Sequence, residues 1–238
     1  MRALRYSLAL AASLAFFLGL KGVPFFAEWS LNSLLLVGLL LAVLFLRFEE
    51  REPGSRELAA VGVLAALAAG GRVLFAAVPG MQPATFLAIA AGYALGAEPG
   101  FMVGALAALL SNFFLGQGPW TPWQMLGWGL GGAAGGLLGR ALRGKVRVVP
   151  VALLATAWGF VFGWGMNLWF WLSFVRPLEA RTFLAACAAS FWFDLLHAGG
   201  NLCFALMLTR PVTEMLLRFR ERFSCRFVEA EAEVAEAG

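Results

Sequence analysis

Charged side chains are scarce in this chain of 238 residues: only 13% are Asp, Glu, Lys or Arg, whereas 61% are hydrophobic. A soluble domain carries about 25% charged residues, which cover the surface that faces water. So little charge excludes an ordinary water-soluble globular protein of this size. The net charge of +4 is better explained by basic loops on the inner side of a membrane than by nucleic-acid binding.

Lysine is almost absent, which excludes one common energy-coupling site. A P-loop requires a lysine that is followed by serine or threonine at the end of a glycine-rich loop. The two lysines are Lys21, which precedes Gly22, and Lys145, which precedes Val146. The chain therefore lacks a Walker A motif, and we expect that it does not hydrolyse ATP by itself.

Histidine and cysteine are equally rare, with one histidine and three cysteines. Two-histidine metal motifs and C-x-x-C spacings do not occur, so we expect no metal site, no cofactor and no disulfide framework. The G-x-S-x-G elbow of many hydrolases is missing as well. An intramembrane serine hydrolase would have to pair His197 with a serine such as Ser111 or Ser190. This enzyme is one alternative that the sequence leaves open.

Long apolar runs take the place of charge. Runs such as 31–46 and 149–171 show no period-two alternation, and about 20 apolar residues are enough to cross a bilayer as a helix. Backbone groups in lipid must be hydrogen-bonded within their own segment or in a closed barrel, which favours helices here. We predict an all-α polytopic membrane protein with helices near 6–26, 31–48, 57–78, 83–96, 100–115, 122–141, 148–172 and 182–209.

The N-terminal run resembles a secretory signal peptide, because Arg2 and Arg5 precede the apolar stretch 6–20. No A-x-A-like cleavage site follows, so we interpret the run as an uncleaved membrane helix. It forms a hairpin with the second helix, and the polar stretch 47–57 separates this hairpin from the rest. We predict three parts: an N-terminal hairpin and loop at 1–56, a six-helix substrate-binding core at 57–209, and a cytoplasmic tail at 210–238, amphipathic at first and then acidic.

Basic residues are distributed unequally between the predicted loops. If the N-terminus lies inside and eight helices alternate, fourteen of the 18 lysines and arginines fall in inner segments. Only Lys21, Arg176 and Arg181 fall in outer segments. Since basic residues collect in cytoplasmic loops, we predict a protein of the cell membrane. Both termini and the loop 140–147 should then lie on its cytoplasmic side.

A few polar residues lie within the predicted helices. Such groups are costly in a membrane and usually face the protein interior or a water-filled cavity. Asp194, His197 and Asn201 share one helix face, and for the last two we favour hydrogen bonds between helices. Arg72 has three possible roles: to snorkel outward, to pair with Asp194, or to contact a ligand. The polar candidates for substrate binding are Arg72, Asn112, Gln124, Asn167 and Asp194.

Tryptophans and amides are concentrated at the predicted outer end. The stretch 116–124, Gly-Gln-Gly-Pro-Trp-Thr-Pro-Trp-Gln, combines rigid turns with two indoles and two amides. Tryptophan also forms belts at membrane interfaces, but a ligand site needs flat apolar faces with a few aimed polar groups. Further candidates for substrate binding are therefore Gln82, Gln117, Trp120, Trp123, Trp164 and Trp192.

Small residues mark two faces of the third predicted helix. Ala65 and Ala69 are four residues apart, and Gly62, Ala66 and Gly70 follow the same spacing. Such faces let another helix approach closely, either from this chain or from a different membrane subunit. We predict that the face with Ala65 and Ala69 docks on a partner.

Several stretches resemble the substrate-binding S components of energy-coupling factor (ECF) vitamin transporters. The similarity covers about 57–209 and is densest over 72–139. It is carried by Arg-Val-Leu-Phe at 72–75, by Pro-Gly-Met-Gln-Pro-Ala-Thr at 79–85, and by the stretches 100–104, 111–125 and 193–201.

The resemblance implies six core helices, a vitamin site open to the outside, and a partner module of one transmembrane T subunit and two ATPases. It also implies that an alanine-rich first core helix, matched by Ala65 and Ala69, docks on the T subunit. The hairpin at 6–48 departs from this pattern. A wide aromatic pocket with little charge favours cobalamin-like cargo, then riboflavin or another flat vitamin. A membrane assembly protein without a ligand is the third possibility.

Overall fold

The protein is described by a computed structural model, which covers the backbone of residues 2–236. The side chains of Arg2, Phe25, Phe26 and 223–236 are outside this description, and so is the predicted acidic end of the tail. The described residues form helices, turns and loops without a strand. Six helices are long and apolar enough to cross a membrane. The predicted all-α, polytopic membrane fold is therefore confirmed.

Nine helices follow one another along the described chain. The N-terminal hairpin consists of α1 (Arg2–Leu20), the single turn α2 (Pro24–Ala27) and α3 (Trp29–Glu49). The remaining helices are α4 (Ser55–Leu74), α5 (Ala84–Leu95), α6 (Ala97–Leu115), α7 (Thr121–Ala141), α8 (Val148–Phe174) and α9 (Ala180–Glu236). The predicted first helix is thus interrupted at Lys21, where Gly22 adopts a positive φ of 72°.

Two of the eight predicted spans are not among the six long apolar helices. Helix α5 has only 12 residues, a length of about 18 Å at 1.5 Å per residue, which is too short for a hydrocarbon core of about 30 Å. Helix α7 has 21 residues, but seven of them are glycines that add little hydropathy. Both helices are nevertheless largely surrounded by protein, because nearly all of α5 and one glycine face of α7 are buried.

Helix α5 begins inside the bundle and not at its surface. The loop after α4 turns back into the protein, where Gly80 packs against the backbone of Leu196 and His197. Gly80 has a φ of 72°, and a Cβ at this position would come within 2.7 Å of the His197 amide nitrogen. Thr85 then contacts Trp128, which lies about 10 Å along α7 from the N-terminal end of that helix.

Glycines allow α5, α6 and α7 to pack backbone against backbone. A Cβ on Gly92 would overlap the carbonyl group of Gly132, and a Cβ on Gly132 would overlap that of Gly100. A Cβ on Gly104 would likewise meet the backbone of Trp128. The glycine-rich run 131–136 therefore serves packing within this chain, as small residues commonly do in membrane bundles.

The predicted boundary between the last core helix and the tail does not interrupt the helix. Helix α9 continues through Pro211 and comprises 57 residues. Beyond Pro211, Leu216 and Leu217 are buried in the hydrophobic cluster that contains Phe101 and Met102. Nη1 of Arg220 donates to the Ala94 carbonyl at 2.8 Å. This part of the predicted amphipathic tail therefore packs on the core and does not lie apart from it on the membrane surface.

The N-terminal hairpin is attached to the core through α3. Within the described chain, α1 packs only against α2 and α3, whereas α3 also contacts α6, α7 and α8. At one end, Arg47 and Arg51 bind the two carboxylate oxygens of Glu98, each at 2.8 Å. Arg5 of α1 pairs with Glu50 at 2.8 Å. The hairpin is thus held at that end by ion pairs as well as by apolar contact.

The partner-docking prediction for Ala65 and Ala69 does not agree with the structure. Ala65 is 0% and Ala69 is 5% exposed, because this face of α4 packs within the chain, where α4 contacts α5 and α6. The other small-residue face, with Gly62, Ala66 and Gly70, is exposed. A Cβ on Gly62 or Gly70 would meet no atom within 4 Å.

Candidate functional site

Arg72 lies in the last turn of α4 and points into the bundle. Its side chain is buried, and the whole residue is only 9% exposed. Nη1 donates to Oγ of Ser111 at 2.6 Å and to Oδ1 of Asn112 at 2.5 Å. Arg72 therefore does not snorkel outward; it connects α4 to the last turn of α6.

The guanidinium of Arg72 also lies over the indole ring of Trp128, with Cζ 4.7 Å from the ring centroid. Phe162 of α8 stacks on the same indole with a centroid distance of 4.5 Å and an interplanar angle of 17°. Trp128 therefore contacts both a cation and a second aromatic ring. Cation–π contact stabilises an arginine without neutralising its charge.

From Asn112, hydrogen bonds continue to the outer surface. Nδ2 of Asn112 donates to Oγ1 of Thr121 at 2.9 Å and to Oε1 of Gln124 at 2.8 Å. Thr121 in turn donates to Oε1 of Gln117 at 2.9 Å, and Nε2 of Gln117 donates to the Leu109 carbonyl at 3.0 Å. Gln117 is exposed, so this series of polar groups starts at the surface.

In the opposite direction the contacts lead into the bundle. Nε1 of Trp128 donates to Oγ1 of Thr85 at 2.9 Å, and Oγ1 of Thr85 lies 3.0 Å from Nε2 of His197. Because the Thr85 oxygen accepts a hydrogen bond from the indole, the Thr85 hydroxyl can donate its own proton in a hydrogen bond to Nε2 of His197. We use the name polar chain for the connected residues Gln117, Thr121, Gln124, Asn112, Ser111, Arg72, Trp128, Thr85 and His197.

Asp194 belongs to a separate group and does not pair with Arg72. Oγ of Ser190 donates to Oδ2 of Asp194 at 3.0 Å, and Nδ2 of Asn167 donates to the same serine at 2.7 Å. Asp194 is buried against Gly163, where a Cβ would overlap the carboxylate. Asn167 and Asp194, both candidates for substrate binding, thus connect α8 to α9 outside the polar chain.

The favoured interpretation of His197 and Asn201 as links between helices is confirmed. His197 contacts Thr85 of α5, and Nδ2 of Asn201 donates to the Ala155 carbonyl of α8 at 3.1 Å. The serines that a hydrolase would need are engaged elsewhere. Ser111 accepts from Arg72, and Ser190 donates to Asp194.

The predicted tryptophans do not converge on the polar chain. Trp120 packs against Trp169 with a centroid distance of 6.0 Å. Trp123 is half-buried against the hydrophobic cluster that contains Phe101 and Met102, and its indole nitrogen has no acceptor in the described part of the chain. Trp164 is 52% and Trp192 72% exposed, as expected for side chains that face lipid or the membrane interface.

Of the substrate-binding candidates, four belong to the polar chain. These four are Arg72, Asn112, Gln117 and Gln124. Gln82 is half-buried in the loop that returns from α4 to α5, and no hydrogen bond links its side chain to the polar chain.

Sequence reasoning missed four residues that complete the site: Thr85, Thr121, Trp128 and Phe162. Trp128 had a recognisable pattern, because it stands between Gly127 and Gly129. The two glycines leave room for neighbouring rings, since a Cβ on Gly127 would meet Phe162 and a Cβ on Gly129 would meet Phe101. The other three carry no such sign, since isolated threonine and phenylalanine residues are ordinary in apolar helices.

Comparison with known proteins adds no relative to this description. No protein-family model, curated protein or solved structure matches the chain. The fold and the candidate spans define the class, a multi-pass α-helical membrane protein. The features that bear on its function are the geometry of the polar chain and the resemblance of several sequence stretches to ECF S components.

Proposed function

We propose that this protein is the substrate-binding subunit of an ECF-type vitamin importer in the cell membrane. It takes its ligand from the outside and delivers it through a partner module with one T subunit and two ATPases. Both termini then face the cytoplasm. The absence of a Walker A motif supports this division of labour, because the energy has to come from other subunits.

The observation that carries the proposal is the polar chain beneath the loop 116–120. It brings an arginine and the amides of Asn112 and Gln124 to one end of a largely apolar bundle and connects them to a third amide, that of the exposed Gln117. Polar groups inside a membrane protein mark substrate pathways by default. A buried amide left without a partner costs about 1–3 kcal/mol, so a ligand that engages these amides is recognised with specificity.

The cargo that we propose is cobalamin-like, with riboflavin or another flat vitamin as the next candidate. The aromatic surroundings support a large planar ligand, because Trp120 and Trp169 contact each other next to the same loop. For the T subunit we propose the exposed face of α4 with Gly62, Ala66 and Gly70. It offers the close approach that Ala65 and Ala69, being buried, do not offer.

Ligand titration of the purified protein tests this function. Cobalamin, riboflavin, thiamine and biotin are titrated against the wild type in detergent, and the absorption spectrum of the purified protein is recorded for bound cobalamin or flavin. Gln124→Ala should weaken binding at least tenfold, or about 1.4 kcal/mol. Phe114→Ala is the matched control, because Phe114 is 79% exposed and lies outside the polar chain.

The alternatives give different results in the same experiment. A folded wild type that binds none of the four vitamins supports an assembly protein without a ligand. Equal affinity in the wild type and in Gln124→Ala, with one vitamin bound, moves the site away from the polar chain. Ester or peptide turnover that is lost in His197→Ala supports the hydrolase.

A further inference from the structure

The charge of Arg72 has no counter-ion in the described part of the chain. Its hydrogen-bond acceptors are the neutral oxygens of Ser111 and Asn112, and none of the ion pairs between described residues includes it. The buried Asp194, which could have neutralised it, bonds to Ser190 instead. Membrane proteins pair buried charges with one another or use them to bind substrates and ions.

The guanidinium also retains donor capacity. Arginine has five N–H groups in a fixed fork that matches a carboxylate or a phosphate. Nη1 makes both of the hydrogen bonds described above, whereas the buried Nε has no hydrogen-bond partner among the described residues. The neutral oxygens and the indole face of Trp128 hold the side chain in position, but an anion is needed to neutralise it.

A second positive group adjoins Arg72, the N-terminus of α5. The N-cap residue Pro83 supplies no side-chain hydrogen bond, and the first turn contains no acidic residue. Ala84, Thr85 and Phe86 are fully buried, and no backbone carbonyl of the described residues accepts from their amides. Free amides and the helix dipole favour negative charge at such a position.

These two groups are neighbours in the fold. The ring of Pro83 is in close contact with Gly71, the residue before Arg72. Trp128 also connects Arg72 to the N-terminus of α5, because its ring lies under the guanidinium and its Nε1 donates to Thr85. A buried cation and a buried helix N-terminus thus share Trp128 as a neighbour at the inner part of the polar chain, and no ion pair between described residues includes Arg72.

We propose that the ligand of this protein carries a carboxylate or phosphate group, and that this group binds Arg72. The inference rests on the proposed function and narrows its substrate class. The exposed Gln117 marks the entrance, and the amides of Asn112 and Gln124 exchange the hydrogen bond between them for bonds to the ligand. Cobalamin, which contains a phosphodiester, and biotin, which contains a carboxylate, meet this requirement. Unmodified riboflavin and the cationic thiamine do not.

Pairs of compounds that differ in one anionic group test the inference. Biotin is compared with its methyl ester, and riboflavin 5′-phosphate with riboflavin, by titration against the wild type and against Arg72→Gln and Arg72→Lys. The wild type should bind the anionic member of at least one pair tenfold or more tightly than the neutral member. Arg72→Gln should abolish this preference. Arg181→Gln, which removes an exposed outer arginine, should leave it unchanged.

If Arg72→Gln does not fold, Arg72→Lys tests whether Arg72 binds the anionic group. It keeps the charge but loses the fork, so it should bind the anionic member several-fold more weakly than the wild type and the neutral member equally well. A wild type that binds both members of each pair alike overturns the anion inference and leaves the proposed function standing. The same holds for a preference that survives in Arg72→Gln. A wild type that binds no probe and none of the four vitamins contradicts the proposed function itself.

Discussion

The indole nitrogen of Trp128 donates a hydrogen bond of 2.9 Å to the hydroxyl of Thr85 and so connects α7 to the beginning of α5. Thr85 also contacts His197 of α9 at 3.0 Å. One buried hydroxyl therefore serves two partners on two other helices. Removing it leaves both partners without a hydrogen bond, whereas removing the indole N–H affects only one bond.

Thr85→Val should consequently destabilise the protein more than its small change in shape suggests. The two buried nitrogens that it leaves unpaired cost about 1–3 kcal/mol each. Thr156→Val is the control, because the hydroxyl of Thr156 bonds only to Ala152 in its own helix and should be dispensable. Thermal unfolding in detergent measures both variants. Equal midpoints for the two variants would show that the hydroxyl of Thr85 does not hold the three helices together.

The glycine contacts between α5, α6 and α7 predict that Gly132→Ala does not fold properly. The new Cβ would overlap the backbone of Gly100, and a backbone cannot rotate away as a flexible side chain can. Overpacking costs about 1–3 kcal/mol even where side chains can adjust. Gly70→Ala is the matched control, since its Cβ meets open space and alanine is the better helix former by about 1 kcal/mol. Size-exclusion profiles and unfolding midpoints distinguish the two outcomes.

The sequence predicts well that the chain is helical and where most long helices lie, but it does not predict how deep each helix begins. Apolar runs have to be helical in lipid, so α3, α4 and α8 appear close to their predicted bounds. The depth of α5 could not be predicted, because a run of 12 apolar residues reads the same whether it starts at the surface or inside the bundle. The path of α9 through Pro211 was also missed, because proline usually ends a helix.

An alanine-to-leucine substitution should affect stability and ligand binding on one small-residue face of α4 and not on the other. Ala69→Leu should lower the stability of the isolated chain and abolish ligand binding, because Ala69 is buried in this chain. Ala66→Leu should leave stability and binding unchanged, since Ala66 is exposed. With the partner module present, Ala66→Leu should reduce vitamin uptake if that face docks. Uptake equal to the wild type would place the docking surface elsewhere.

The candidate site was predicted in part, and the reason lies in sequence separation. Arg72, Asn112, Gln117 and Gln124 stood out singly, because each is a polar residue among apolar ones. The bond between Arg72 and Asn112 joins residues 40 positions apart and follows only from the packing of α4 on α6. For the same reason the sequence could not decide whether Arg72 pairs with Asp194.

The topology of the chain can be tested with single cysteines placed at the two ends of the bundle. Tyr93 donates to the Lys145 carbonyl at 2.6 Å, which places Lys145 at the same end as the C-terminus of α5. Glu179 lies between α8 and α9 at the opposite end. Both residues are exposed, and neither requires a glycine, unlike Gly144 with its φ of 69°.

In a background without Cys187, Cys203 and Cys225, a membrane-impermeant maleimide added to intact cells should label Glu179→Cys and not Lys145→Cys. The expectation follows from the excess of basic residues in the segments that include Lys145, since such segments stay in the cytoplasm. Permeabilised cells provide the control, because both positions should then react equally. Labelling of Lys145→Cys in intact cells would invert the orientation. The entrance at Gln117 would then face the cytoplasm, which is incompatible with uptake from outside.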